Sequence, residues 1–200
     1  MPPILYISLD VEASGPVPGM FSLLAIGACA VIDDGSEARL LEGAGNEFKV
    51  LLKPLANAKS DPEALKYAGG LVPEELETTG QHPREAFLGL IEWVERVRVG
   101  AGAHRAHFLA HAASFDWMYI RWYFELLGLP SVFGFAGIDI KAYAMGALGI
   151  TWEETSKDVL GRRVGLEPVD PLRLHDPLYD AHYQARLFAA LVNARRRIGS

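Results

Sequence analysis

Ile4-Leu-Tyr-Ile-Ser-Leu-Asp10-Val-Glu12-Ala-Ser14-Gly15 is the stretch on which the fold turns. Leu5, Ile7, Leu9 and Val11 alternate with Tyr6, Ser8, Asp10 and Glu12, the period of two that marks a strand with one apolar face. The same period points both carboxylates to one side of the strand, where like charges repel unless water or a cation screens them. A divalent ion is the economical explanation. Ser14-Gly15-Pro16 then ends the strand.

Working outward, the apolar run 23–32 predicts a second strand, Asp33-Asp34-Gly35 a turn, and residues 47–52 a third strand ahead of Pro54. Three consecutive strands joined by turns suggest an antiparallel meander. Asp61-Pro62 reads as an N-cap and a first helical residue, and Ala86, Phe87, Leu90, Ile91 and Val94 mark the apolar face of a helix over 83–98. Past Gly100 and Gly102, residues 107–111 fit a short strand. Ser114 is expected to cap the next helix, which runs to Gly128, with Asp116 in its first turn. Thr151 and Glu154 form a capping-box pattern opening a further helix, and residues 177–197 read as a long final one. Strands first, then helices alternating with occasional strands, describe an α/β domain with a mixed sheet. With neither a linker nor an internal repeat in the pattern, residues 1–200 are read as a single domain.

Composition narrows the function classes. Half of the residues are apolar, enough for a sizeable core. A formal charge of −6 argues against gripping nucleic acid over the whole surface, because non-specific affinity comes from neutralising phosphates with Lys and Arg. It leaves a nuclease open, since bound divalent cations bring positive charge to the one place where phosphate must sit. The single cysteine, Cys29, has no partner for a disulfide or a cysteine metal site and reads as a small buried hydrophobe. Without a basic leader or a bilayer-length apolar run, the expectation is a cytoplasmic protein with no membrane partner.

Three segments carry chemistry in order: Asp10-Val-Glu12-Ala-Ser14-Gly15, His111-Ala-Ala-Ser-Phe115-Asp116, and His175-Asp-Pro-Leu-Tyr-Asp180-Ala181. At a helix start the backbone dipole favours the charge of Asp116. His175 and Asp180 would point about 140° apart on one continuous helix. Asp176 as N-cap and Pro177 as first helical residue remove that objection, placing His175 on the loop and Asp180 in the first turns. Four oxygen donors suit magnesium or manganese better than zinc. Two such ions about 3.5–4 Å apart stabilise the attacking and leaving oxygens of a phosphoryl displacement, and a neutral imidazole can take the proton of the attacking water. His104, His107 and His111 have a spacing that would suit zinc on a helix, but a strand there separates them.

Taken together the segments resemble the DEDDh exonuclease family, the group of ribonuclease T, oligoribonuclease and the proofreading epsilon subunit of DNA polymerase III. The likeness runs from Ile4 to about Leu191, and Asp61-Pro-Glu-Ala-Leu65 through Gly69-Gly70 also resembles a family segment. Ala112 and Pro177 depart from it, standing where many members have Asn and Ala. The resemblance implies a ribonuclease H-like fold, a mixed sheet flanked by helices. It implies two Mg2+ or Mn2+ ions held by Asp10, Glu12, Asp116 and Asp180, with His175 as general base. It also implies stepwise release of nucleoside 5′-monophosphates from the 3′ ends of single-stranded RNA or DNA. Ser14, Gly15, Phe21, Leu23, His111 and Phe115 are the substrate contacts it suggests, Phe21 and Leu23 lying where members place apolar side chains against terminal bases. RNA is the first expectation for a small free-standing domain. The alternatives are DNA 3′-end processing or proofreading, and a non-catalytic nucleic-acid-binding module. Some members build their groove across two subunits, which adds a homodimer to the expectations.

Overall fold

The computed structural model describes residues 2–198. Its centre is one mixed sheet. Strand β1 (Ile4–Ala13) pairs antiparallel with β2 (Leu23–Asp33), and Asp10 lies opposite Gly27 in that register. On its other side β1 pairs in parallel with β5 (Ala106–Ala110), which pairs in parallel with β6 (Ile138–Asp139). The expected meander forms, with β4 (Glu47–Leu51) pairing antiparallel with β2 as the third strand, and a short unexpected strand β3 (Ala38–Leu40) pairs with the remainder of the same outer edge of β2. The three residues of β3 are too few to show a period in sequence.

Helices cover both faces. Leu5, Ile7, Leu9 and Val11 of β1 pack with α3 (Pro83–Gly100) and α4 (Ala113–Leu126) through Phe87, Leu90, Val94, Tyr119, Tyr123 and Phe124. The opposite face is closed by α5 (Ile140–Leu148) and α7 (Pro177–Ile198), whose Ala181, Ala185, Phe188 and Leu191 pack with Cys29, Val31 and Leu109. Two short helices, α1 (Pro62–Leu65) and α2 (Pro73–Thr79), follow β4, and α6 (Lys157–Val164) precedes α7. The Asp61 side chain caps α1 by accepting from the Glu63 N–H, as its place before Pro62 predicts. No helix among the described residues is long and apolar enough to cross a membrane.

Two helix starts differ from expectation. Ser114 does not cap α4. The N-cap is Ala112, in the left-handed conformation at φ 62°, and the Asp139 carboxylate accepts from the Ala113 N–H at 2.7 Å. A cap supplied from another strand leaves no local trace in sequence. The box of Thr151 and Glu154 does form, but on a single 3-10 turn (Trp152–Thr155); α6 starts separately, capped by Ser156. Left-handed backbone costs an L-residue with a Cβ about 1–2 kcal/mol, and Asn tolerates it. Ala112→Asn is therefore expected to raise stability by about 0.5–1 kcal/mol, read from the midpoint of urea unfolding.

Candidate active site

The polar face of β1 is matched side chain by side chain by α7. Tyr6 packs edge-on against Phe188, the Ser8 hydroxyl donates to the Ala181 carbonyl, and Gln184 Nε2 donates to Asp10 Oδ1 at 2.6 Å. So close an approach needs Gly27 on the neighbouring strand, because a Cβ there would lie 2.1 Å from the Pro177 carbonyl carbon. Asp180, in the first turn of α7, is thereby brought to the carboxylates of β1. From the other face of the sheet, α4 contributes Asp116 to the same end of β1, its Oδ1 accepting from the Val11 N–H at 2.9 Å. Burial and strand geometry together hold the carboxylates in place.

Asp10, Glu12, Asp116, Asp180 and His175 all line one cavity of about 620 Å³. Three of its carboxylates are almost out of solvent: Glu12 is 7 % exposed, Asp116 5 % and Asp180 3 %. Burial, then the Asp10, Asp180 and Asp116 charges, push the Glu12 carboxyl up to about 10. Asp116 is pushed up to about 7, chiefly by burial, even though the Val11 N–H favours its charge. Asp10 is held well above the usual carboxylate range by burial and by Asp116.

His175 follows the expected plan. It precedes α7 on the loop with φ 65°, and Asp176 caps the helix by accepting from the Leu178 and Tyr179 N–H groups. The His175 N–H donates to Asp180 Oδ2 at 2.8 Å, tying loop to helix. Gly69, itself at φ +60°, lets this loop pass: a Cβ there would sit 2.1 Å from the His175 carbonyl oxygen. That close approach is a physical reason for glycine in the Gly69-Gly70 segment.

The expected substrate contacts divide. Gly15, His111 and Phe115 line the cavity, Phe115 with 38 % of its surface exposed. Leu23 does not. It is fully buried in the core, where the packing of β2 claims it. Ser14 is also buried, its hydroxyl donating to the Lys59 carbonyl and accepting from the Ser22 N–H, so it fastens the loop after β1. Phe21 lies behind Gly15 rather than in the cavity; a Cβ on Gly15 would meet its ring at 2.2 Å. His111 Nε2 lies 2.8 Å from the Thr155 carbonyl, an acceptor only, so that nitrogen carries the proton and donates. Burial pushes this imidazole down to about 4, which keeps it neutral.

Three cavity or supporting residues have no sequence signal of their own. Tyr67 follows α1 with 63 % of its surface exposed, its ring edge-on to His175 with centroids 5.7 Å apart. Gln184 is oriented by the His111 N–H, which donates to its Oε1 at 3.0 Å and leaves the amide N–H groups for Asp10. Lys157, at the start of α6, donates from Nζ to Asp180 Oδ1 at 2.5 Å. Only the i, i+4 spacing of Asp180 and Gln184 on one helix face hints at any of this.

Four carboxylates and one ammonium leave a deficit of positive charge in a buried place. Among the described residues no three carboxylate, imidazole or thiol groups form a ready-made cage for a metal. The donor chemistry nonetheless fits a hard divalent cation, since the carboxylates offer only oxygen and lack a matching countercharge. The pH dependence of stability follows from the raised groups. A carboxyl whose folded pKa exceeds its unfolded value contributes stability that is present below the unfolded pKa and lost as pH rises through the folded one. For Glu12 that window runs from 4.5 to about 10, and for Asp116 from 3.8 to about 7. The metal-free protein is accordingly expected to melt at a lower temperature at pH 8.5 than at pH 6, with Mn2+ reversing most of the loss; calorimetry at both pH values reads it.

No family model matches the chain. In sequence it is 33 % identical over 184 residues to 3′-5′ DNA exonuclease Cap18 of Escherichia coli, spanning 92 % of this chain and 89 % of that protein. It is 28 % identical over 195 residues to ribonuclease T of Shewanella sp. (strain ANA-3), spanning 96 % and 84 %. In structure it resembles the nuclease domain of 3′hExo, a DEDDh family member bound to rAMP, with a TM-score of 0.71 and 15 % identity across 99 % of this chain and 92 % of that one. Exonuclease I of E. coli, in a zinc-bound complex with single-stranded DNA, gives a TM-score of 0.65 and 18 % identity across 97 % of this chain and 41 % of that one. The mixed sheet with helices on both faces is therefore the ribonuclease H-like fold of these nucleases. With a third of its residues shared along nearly the whole of an exonuclease, this chain belongs to the DEDDh family of 3′-5′ exonucleases, which generally use divalent metal ions.

Proposed function

We propose that the enzyme removes nucleoside 5′-monophosphates one at a time from the 3′ end of single-stranded nucleic acid, with Asp10, Glu12, Asp116 and Asp180 holding two Mg2+ or Mn2+ ions and His175 serving as general base. One observation carries the reading: these five side chains, supplied by β1, α4 and the loop and first turn of α7, line a single cavity. The bound ions would supply charge neutralisation at the phosphate and a more acidic attacking water.

The protein's own groups do the rest. The main-chain bond of His175 to Asp180 fixes the loop and leaves the imidazole free at the cavity rim, where a ring nitrogen can take a proton from water. Phe115 and Tyr67 offer exposed rings on which terminal bases can stack whatever their sequence. That sequence tolerance suits stepwise removal. RNA is kept as the first substrate, supported by the name of ribonuclease T. The 33 % identical relative is named for DNA, which favours DNA as the second reading. The homodimer is retained on the resemblance alone, and sedimentation velocity reads it directly.

The test follows 5′-labelled single-stranded RNA and DNA oligonucleotides over time with Mn2+. Ladders should shorten from the 3′ end, and the faster strand identifies the preferred sugar. His175→Ala should slow both by about 10²–10⁴-fold while leaving the Mn2+-induced rise in melting temperature unchanged. Intact strands with every metal would overturn the reading, and loss of the Mn2+ shift in His175→Ala would move His175 from base to ligand.

A further inference from the structure

Among the described residues, Lys157 is the one basic side chain besides the two histidines that lines the cavity of the four carboxylates. It begins α6, and the Ser156 cap at that helix start holds its backbone in place. Its side chain is 22 % exposed and its partner Asp180 4 %, so the pair is screened little by solvent. The partners of Asp180 are divided cleanly. Oδ2 accepts the His175 N–H at 2.8 Å, a bond made by the turn that enters α7, and Oδ1 accepts Lys157 Nζ at 2.5 Å. A cation seeking Asp180 through Oδ1 therefore meets an ammonium already there. Oδ2 already shares its charge with the His175 N–H, and its remaining lone pair lies on the same carboxylate that the ammonium holds.

We propose that Lys157 is a resident counter-ion that competes with the divalent metal for Asp180, and so sets how tightly the enzyme holds its metal. This rests on the reading of Asp180 as a metal ligand. The ammonium stabilises the clustered carboxylates when no metal is bound, and for the same reason opposes an incoming cation by like-charge repulsion in a site of low dielectric. Both effects come from one charge. They predict a change of opposite sign in two quantities when that charge is removed.

The experiment compares the full-length wild type with Lys157→Met and Lys157→Arg by calorimetric melting without metal and by titration with Mn2+. Lys157→Met is expected to melt several degrees lower without metal and to bind Mn2+ roughly tenfold or more tightly. Lys157→Arg, which keeps the charge, should stay near wild type in both. Mn2+ binding by Lys157→Met that is equal to wild type or weaker would overturn the proposal. Should the Met variant fail to fold, the wild type provides its own test. Acetylation of Lys157 by acetic anhydride, followed by mass spectrometry, should speed up several-fold when Mn2+ is added, and an unchanged or slower rate sinks the idea. Asp180→Asn separates the two levels. If it binds Mn2+ as well as wild type, the ligand reading itself fails; if it loses Mn2+ while Lys157→Met shows no tightening, only the competition fails.

Discussion

Asp10→Asn is expected to lower kcat/KM on single-stranded oligonucleotides by about 10³-fold or more, since on the proposed reading Asp10 holds a catalytic metal, and loss of such a ligand acts on several kcal/mol of transition-state charge. The substitution is a clean one. Gln184 has its amide orientation set by the His111 N–H on Oε1, so its Nε2 must donate to whatever stands at position 10. Asparagine keeps a carbonyl oxygen there, and the bond between β1 and α7 survives. Because burial and Asp116 disfavour the Asp10 charge, the neutral variant should melt above the wild type in the absence of metal while losing most of its response to Mn2+. Nucleic-acid binding in EDTA should be unchanged or stronger, for one negative charge facing phosphate has gone. A variant that melts higher yet still degrades RNA and DNA at the wild-type rate would remove Asp10 from the reaction.

The second large effect is steric and lies outside the cavity. Gly27→Ala adds a single methyl group, yet that group would sit 2.1 Å from the Pro177 carbonyl carbon and 2.3 Å from the Leu178 nitrogen. Both are backbone atoms at the start of α7, so relief requires the helix to lift from the sheet. Overpacking of this kind costs about 1–3 kcal/mol. The functional loss should be larger, because Asp180 and His175 ride on the displaced segment while Asp10 and Glu12 stay on β1. A shift on the order of 1 Å in such a constellation costs about 10²-fold, so kcat should fall far more than the change in urea midpoint alone explains. An alanine variant with wild-type kcat and unaltered Mn2+ affinity would show that α7 does not need this close approach.

Much of the site was legible because strand and helix periods are local. The alternation through β1 places Asp10 and Glu12 on one side, and Asp176-Pro177 announces the start of α7 with His175 outside it. The misread contacts have a common cause. Ser14 and Leu23 stand beside the motifs in sequence, but burial turns one into a loop fastener and the other into core. Phe21 likewise packs behind Gly15. Proximity along the chain says which residues are near the site, and it does not say which way they face once a loop reverses direction.

By itself, then, the sequence determined the order of the main elements, the four carboxylates, the histidine on the loop, and the family likeness, all of which are written in spacings of a few residues. Tertiary structure alone decided that β3 and β4 share the edge of β2, that Asp139 caps α4 from another strand, that Gln184 orients Asp10, and that Lys157 stands against Asp180. Each of these joins segments more than about a dozen residues apart or depends on which edge of a strand is free. Their energies come from burial and from charges brought together across the sheet, and neither exists until the chain has folded.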